Sequence, residues 1–205
     1  MTTTQGSLLP LVHERPLSVL VACEYSGRVR DAFIRRGHNA VSCDLRPTDV
    51  PGPHVVGDVM DVLDREAWDM LIAHPPCTYL AWVGQAWFKV DPSRYDRRRE
   101  AVRFVERLWN ANIEYTCIEN PRGALSPQWR LENQVVQPWM FGEPYTKATC
   151  LWLRNLPPLL GVEVAPRPWT SWVAQVKDPY VRSLTFSGIA NAMASQWGTI
   201  EEGLS

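Results

Sequence analysis

One recurring arrangement constrains this chain more than its composition does: short apolar runs, each closing on polar residues, alternate with segments of helical spacing. Residues 17–23 end on Glu24-Tyr25-Ser26-Gly27, residues 39–43 on Asp44, and residues 55–57 on Asp58. Residues 68–74 stop at Pro75-Pro76-Cys77, and residues 115–118 close on Glu119-Asn120. Between them, residues 29–36, 59–68 and 93–111 carry apolar side chains at helical intervals. Such alternation predicts an α/β fold, a mostly parallel twisted sheet with helices on both faces. Residues 149–153 read as a further strand and residues 188–197 as a final helix.

With 205 residues the chain suits one domain over 17–205. Residues 1–16 read as a loose leader and 154–181 as an irregular insertion. The formal net charge of −1 does not mark a nucleic-acid binder by itself. Charge is unevenly placed, however: Arg94, Arg97, Arg98, Arg99, Arg103 and Arg107 crowd one helical stretch. That stretch is either a solvated helix face or a phosphate-contacting one. Cys23, Cys43, Cys77, Cys117 and Cys150 form no CxxC pair, and no metal site is expected. All but Cys77 sit in apolar runs and read as small buried hydrophobes. Without a recognisable signal peptide or spanning stretch, a cytoplasmic monomer is expected, with no membrane partner.

In open parallel sheets, ligands bind outside the carboxyl ends of the strands. Five polar clusters converge on that rim here. Ser26-Gly27 suits close approach of backbone to a ligand. Asp44 is placed to bind ribose hydroxyls and Asp58 an adenine amino group, although each acid would serve equally as a turn or cap residue. Cys77 follows two prolines whose fixed φ makes a stiff corner. Alone it reads more readily as structural. Glu119 at the end of a neighbouring strand changes the balance, because a carboxyl group facing N3 of a pyrimidine assists addition of a thiolate at C6.

Taken in order, these residues resemble the DNA cytosine-5 methyltransferase family, over most of residues 17–197. Tyr25-Ser26-Gly27 is similar to the family's cofactor loop, with Val29 and Arg30 where its next glycines stand. Asp44 and Asp58 match its ribose- and adenine-binding acids, and Pro76-Cys77 its nucleophile-bearing pair. Glu119-Asn120 matches its base-engaging dipeptide, followed by Pro121 in place of valine. Residues 142–149 are similar to the Gly-x-Pro segment, with Lys147 and Thr149 in place of its two arginines. Residues 186–193, with Gly188 and Asn191, resemble the segment closing over the cofactor. With Ile118-Glu119-Asn120-Pro121-Arg122-Gly123, the compact form resembles phage and prophage members lacking a full target-recognition domain.

The resemblance implies a Rossmann-like class I fold and S-adenosylmethionine (SAM), or a derivative of it, as cofactor. It further implies single- or double-stranded DNA as partner, entering a covalent cycle at a base outside the stack. Catalysis would fall to Cys77, Glu119 and Asn120, the last positioning the Pro75–Cys77 loop. Tyr25, Ser26, Gly27, Asp44, Asp58, Pro75 and Asn191 would hold the cofactor; Pro76, Arg122, Lys147 and Thr149 would hold the substrate. Trp169 and Trp172 are candidates either to stack on bases or to pack the insertion. Arg28 and Arg30 are read as solvent-facing; either one turned inward would favour a donor carrying an extra negative group. Three alternatives remain: amino-group methylation, a non-catalytic module that binds nucleic acid or protein, and RNA or a free nucleotide as substrate.

Overall fold

A computed structural model describes residues 12–162 and 168–200. A two-residue strand β1 (Val12–His13) precedes β2 (Ser18–Ala22), α1 (Arg28–Ile34), β3 (Asn39–Asp44), β4 (His54–Val56) and α2 (Val59–Leu63). Next come β5 (Met70–Ala73), a 3-10 segment (Trp82–Phe88), α3 (Arg94–Trp109), β6 (Tyr115–Pro121) and α4 (Leu125–Gln128). The chain continues through β7 (Gln134–Val136), a 3-10 turn (Pro138–Phe141), β8 (Thr149–Arg154), α5 (Trp172–Gln175), α6 (Pro179–Ser183), α7 (Ser187–Trp197) and β9 (Thr199–Ile200).

Seven strands form one sheet in the order β4-β3-β2-β5-β6-β8-β7. The pairings from β4 through β6 are parallel, and β8 runs antiparallel to both its neighbours. This is a Rossmann-like α/β arrangement. Strand order reverses between β2 and β5, the switch point where such sheets open a crevice. Alternate residues of each strand face opposite layers. Val19 and Val21 pack with Phe33, Met193 and Trp197 on the α1/α7 face. Leu20 and Ala22 pack with Val105, Leu108 and Trp152 on the α3 face. Cys43, Cys117 and Cys150 are buried as read, whereas Cys23 is only half-buried.

Three expectations need adjustment. The helix read over 59–68 stops at Leu63: residues 64–66 are all charged, Ala67 is left exposed, and Trp68 donates Nε1–H to the Val62 carbonyl at 3.2 Å. The end of the supposed leader is tied down: β1 pairs with β9, and Arg15 donates to both oxygens of Asp69 at 2.8 and 2.6 Å. Residues 1–11 lie outside the described residues. The insertion carries two short helices, α5 and α6, with 163–167 outside the described residues. Among the described residues no helix is long and apolar enough to cross a membrane.

Candidate active site

The rim formed by the loops after β2, β3 and β4 is built around two buried charged residues that the sequence did not single out for their roles. Glu24 accepts from the backbone N–H of Val29 at 2.8 Å and of Arg30 at 3.2 Å, and from Ser26 Oγ at 3.2 Å. The first turn of α1 is thus capped by a side chain standing before it. Gly27 sits at φ 71°, and a Cβ there would lie 2.4 Å from Arg30 Nη2. Only glycine satisfies both demands.

Arg30 is wholly buried, contrary to its reading as solvent-facing. It donates to Asp31 (2.7 Å), Ser42 Oγ (3.3 Å), Thr48 Oγ1 (3.2 Å) and the carbonyls of Val50 (3.4 Å) and Pro51 (3.3 Å). The guanidinium therefore moulds the 48–53 loop and is not turned toward a ligand. Arg28 is exposed, donating to the Thr185 carbonyl at 2.7 Å.

The acids of this half remain available. Asp44 accepts from the Arg46 N–H at 3.0 Å, and Asp58 caps α2 by accepting from the Met60 N–H at 2.9 Å. In each case the described bonds use one carboxylate oxygen and leave the other free for a ligand. Tyr25 has a protein partner instead: it stacks on Tyr180 at 5.5 Å, bonds Ser183 Oγ at 2.8 Å, and lies 4.3 Å beneath the Arg46 guanidinium. Since Tyr180 also bonds Asp49, the α6 segment straps across the loops after β2 and β3.

The chemical half grows from two adjacent strands. The parallel register pairs Ala73 of β5 with Ile118 of β6, which sets His74 beside Glu119 and Pro75 beside Asn120. His74 Nδ1 lies 2.9 Å from Glu119 Oε2, both side chains being mostly buried. Burial alone would lower the His74 pKa, but the bond to Glu119 and the nearby Glu24 raise it above 6.5. Burial would raise Glu119, yet His74 and then Lys147 hold it below 4.5. Both shifts favour the ion pair over the neutral pair.

Asn120 is buried and donates Nδ2–H to the Pro75 carbonyl at 2.7 Å, tying the proline corner to β6. Cys77 itself is exposed, and its carbonyl accepts from Leu80 and Ala81 at 3.0 and 2.8 Å, curling the next turn. Its thiol is pushed up, first by the crowding of its loop and then by Glu119, with Lys147 and Arg182 pulling the other way. The corner holds a protonated thiol in a fixed place at the mouth of the rim.

The arginine stretch has a third role besides the two readings given above. Arg98 is buried against Phe88, its guanidinium 3.8 Å from the ring, and donates to the Tyr79 carbonyl at 2.8 Å. Arg94 donates to the Thr78 carbonyl at 3.3 Å, and Arg97 to the Tyr79 hydroxyl at 2.9 Å. Three arginines of α3 thus pin the segment after Cys77, and that segment presents Trp82 and Trp87 more than half exposed.

The remaining candidates divide. Lys147 joins the chemical half: its Nζ donates to the Arg182 carbonyl at 2.8 Å, and its charge acts on His74, Cys77 and Glu119. Thr149 is buried, its hydroxyl donating to the Lys147 carbonyl at 3.3 Å, so it supports Lys147 and offers nothing to a substrate. Pro76 and Arg122 are exposed, and the Arg122 carbonyl accepts from Trp82 at 3.2 Å. Asn191 accepts from Arg35 at 3.0 Å, just beyond the last turn of α1, so it is not brought to the rim. Trp172 packs between Tyr145 and Phe186, at 4.7 and 5.1 Å, whereas Trp169 is fully exposed.

No family model and no curated protein matches the chain. Similar solved structures include a protein described as a DNA modification methyltransferase encoded within an Escherichia coli prophage, at TM-score 0.48 and 14% identity over 73% of this chain and 52% of that one. Another is the Schizosaccharomyces pombe Dnmt2 methyltransferase, at 0.45 and 16% over 76% and 57%. A third is the Entamoeba histolytica methyltransferase EhMeth, at 0.46 and 14% over 74% and 58%. The chain matches between half and three-fifths of each of these proteins. Likenesses this distant carry no weight for activity, so the functional reading rests on this chain's own residues.

Proposed function

We propose that this chain is a SAM-dependent methyltransferase that alkylates C5 of cytosine in DNA through a covalent adduct of Cys77 to C6. One observation carries the reading: the Asn120–Pro75 bond of 2.7 Å locks an exposed thiol corner to the strand that bears Glu119. A nucleophile and a carboxyl group are thereby held at fixed spacing on adjacent strand ends, as covalent attack on a pyrimidine requires.

The cofactor half fits the proposed donor. Asp44 and Asp58 each keep an oxygen for ribose or adenine, and the absence of a Cβ at Gly27 lets the backbone approach. Bound there, SAM supplies an electrophilic methyl group on a sulfonium. Cys77 gives its proton to solvent and adds to C6 while Glu119 engages N3, which makes C5 nucleophilic. Asn120 holds the corner in register, and transfer of the C5 proton to water then expels the thiolate. Because Arg30 is fully engaged with protein, selection of a more anionic donor would fall to Arg28.

DNA would be held by the indoles of Trp82 and Trp87 with the exposed arginines of α3, a surface that reads backbone and base faces with little sequence preference. With two short helices where a target-recognition domain would stand, we propose very short sequence recognition, as in the compact phage and prophage form. The test is mass spectrometry of nucleosides from DNA incubated with protein and SAM. The expected product is 5-methylcytosine; N4-methylcytosine or N6-methyladenine would overturn the assignment, and another added mass would identify a different donor.

A further inference from the structure

Glu119 meets a difficulty in the cycle just proposed. N3 of cytosine is a hydrogen-bond acceptor, and a carboxylate offers only lone pairs to it. A proton can reach Glu119 across one hydrogen bond, from a protonated His74 whose Nδ1 lies 2.9 Å from Oε2. His74 has no other outlet among the described residues, where its Nε2 is buried without a partner. An unpartnered N–H costs more on a cation than on a neutral ring, which favours release of the Nδ1 proton.

We propose that His74 is a positioning residue that stores the proton Glu119 presents to the base. This rests on the cytosine-5 reading above. As the base arrives, the Nδ1–H bond breaks and an O–H bond forms, turning the ion pair into neutral imidazole and carboxylic acid. The O–H bond then breaks as N3–H forms and the Cys77 sulfur bonds to C6. When the sulfur leaves, the N3 proton returns to the pair, whose proton count is unchanged over a turnover.

The surroundings suit a proton held near neutral pH. Glu24, from the loop after β2, and Glu119 favour the imidazolium, while Lys147, before β8, opposes it. Lys147 also favours the Glu119 carboxylate, and the Cys77 thiol on the neighbouring loop feels that carboxylate in turn. A single base entering against this pair displaces water and removes the solvation that keeps the two charges apart.

The test is the pH dependence of adduct formation with 5-fluorocytosine DNA and SAM, in wild type, His74→Gln and His74→Ala. Wild type should rise about tenfold per pH unit through neutral pH as the Cys77 thiol ionises, because the proton on the pair is internal. Both variants must take that proton from solvent, so the two dependences should cancel and leave their rates flat across that range. Glutamine keeps a donor to Glu119 but holds no transferable proton. Recovery of the wild-type profile by His74→Gln would overturn the proposal and leave His74 with a hydrogen-bonding role only. Variant profiles parallel to wild type would overturn it as well. Failure of wild type itself to form an adduct would instead overturn the cytosine-5 reading.

Discussion

The rim has two halves that treat buried polar atoms differently. After β2, every such atom is satisfied: Glu24 takes three donors and Arg30 reaches five acceptors. After β5 and β6, His74 Nε2 and Asn120 Oδ1 are buried with no partner among the described residues. Unsatisfied buried atoms are costly, so folded proteins retain them where something else is gained. The first half is scaffold that shapes a binding loop. The second is poised for chemistry.

If that contrast holds, substitutions in the first half should cost stability and those in the second should cost rate. The largest stability effect is expected for Arg30→Ala, which strands carbonyls and hydroxyls around a void. It should lose about 3–5 kcal/mol in denaturant unfolding. Asn120→Ala comes next: it removes one buried bond, about 1–2 kcal/mol, but should slow adduct formation about a hundredfold by freeing the Pro75 corner. Equal losses of stability in these two variants would break the comparison.

The pH dependence sharpens it. Glu119 is depressed, so its contribution is present above its ordinary 4.5 and lost as pH falls through its folded value. His74 is raised, so its contribution is present below 6.5 and lost as pH rises through its folded value. Together they stabilise the fold most between those limits. Glu119→Gln should flatten this window in thermal unfolding monitored against pH. The smallest stability effect belongs to Trp87→Ala, expected within about 0.5 kcal/mol of wild type. Its affinity for single-stranded DNA should nonetheless fall about fivefold or more by fluorescence titration.

What the sequence showed and hid follows from the range of the forces involved. The core strands and α1, α3 and α7 were legible because each buries a continuous or periodic apolar pattern. The antiparallel neighbour β7 was not, since Gln-Val-Val is too short to carry a period. Cys77, Glu119 and Asn120 were legible because strand ends define the rim. The partnership of His74 with Glu119 depends on the register of two strands 45 residues apart, which no local pattern reports. The burial of Arg30 was hidden for the same reason. Apart from Asp31, its acceptors come from residues 42–51, brought over α1 by the β2–β3 pairing. The strap from Tyr25 to Tyr180 joins distant parts of the sequence by stacking and by hydroxyl bonds to Ser183 and Asp49.

The central claim is that the exposed thiol at the Pro75-Pro76 corner attacks the base. It is tested most directly by incubating the protein with SAM and DNA containing 5-fluorocytosine, then mapping the cross-linked peptide by mass spectrometry. The adduct should map to Cys77 and be absent from Cys77→Ala. Undiminished adduct in that variant, or a cross-link at Cys23, would contradict the account.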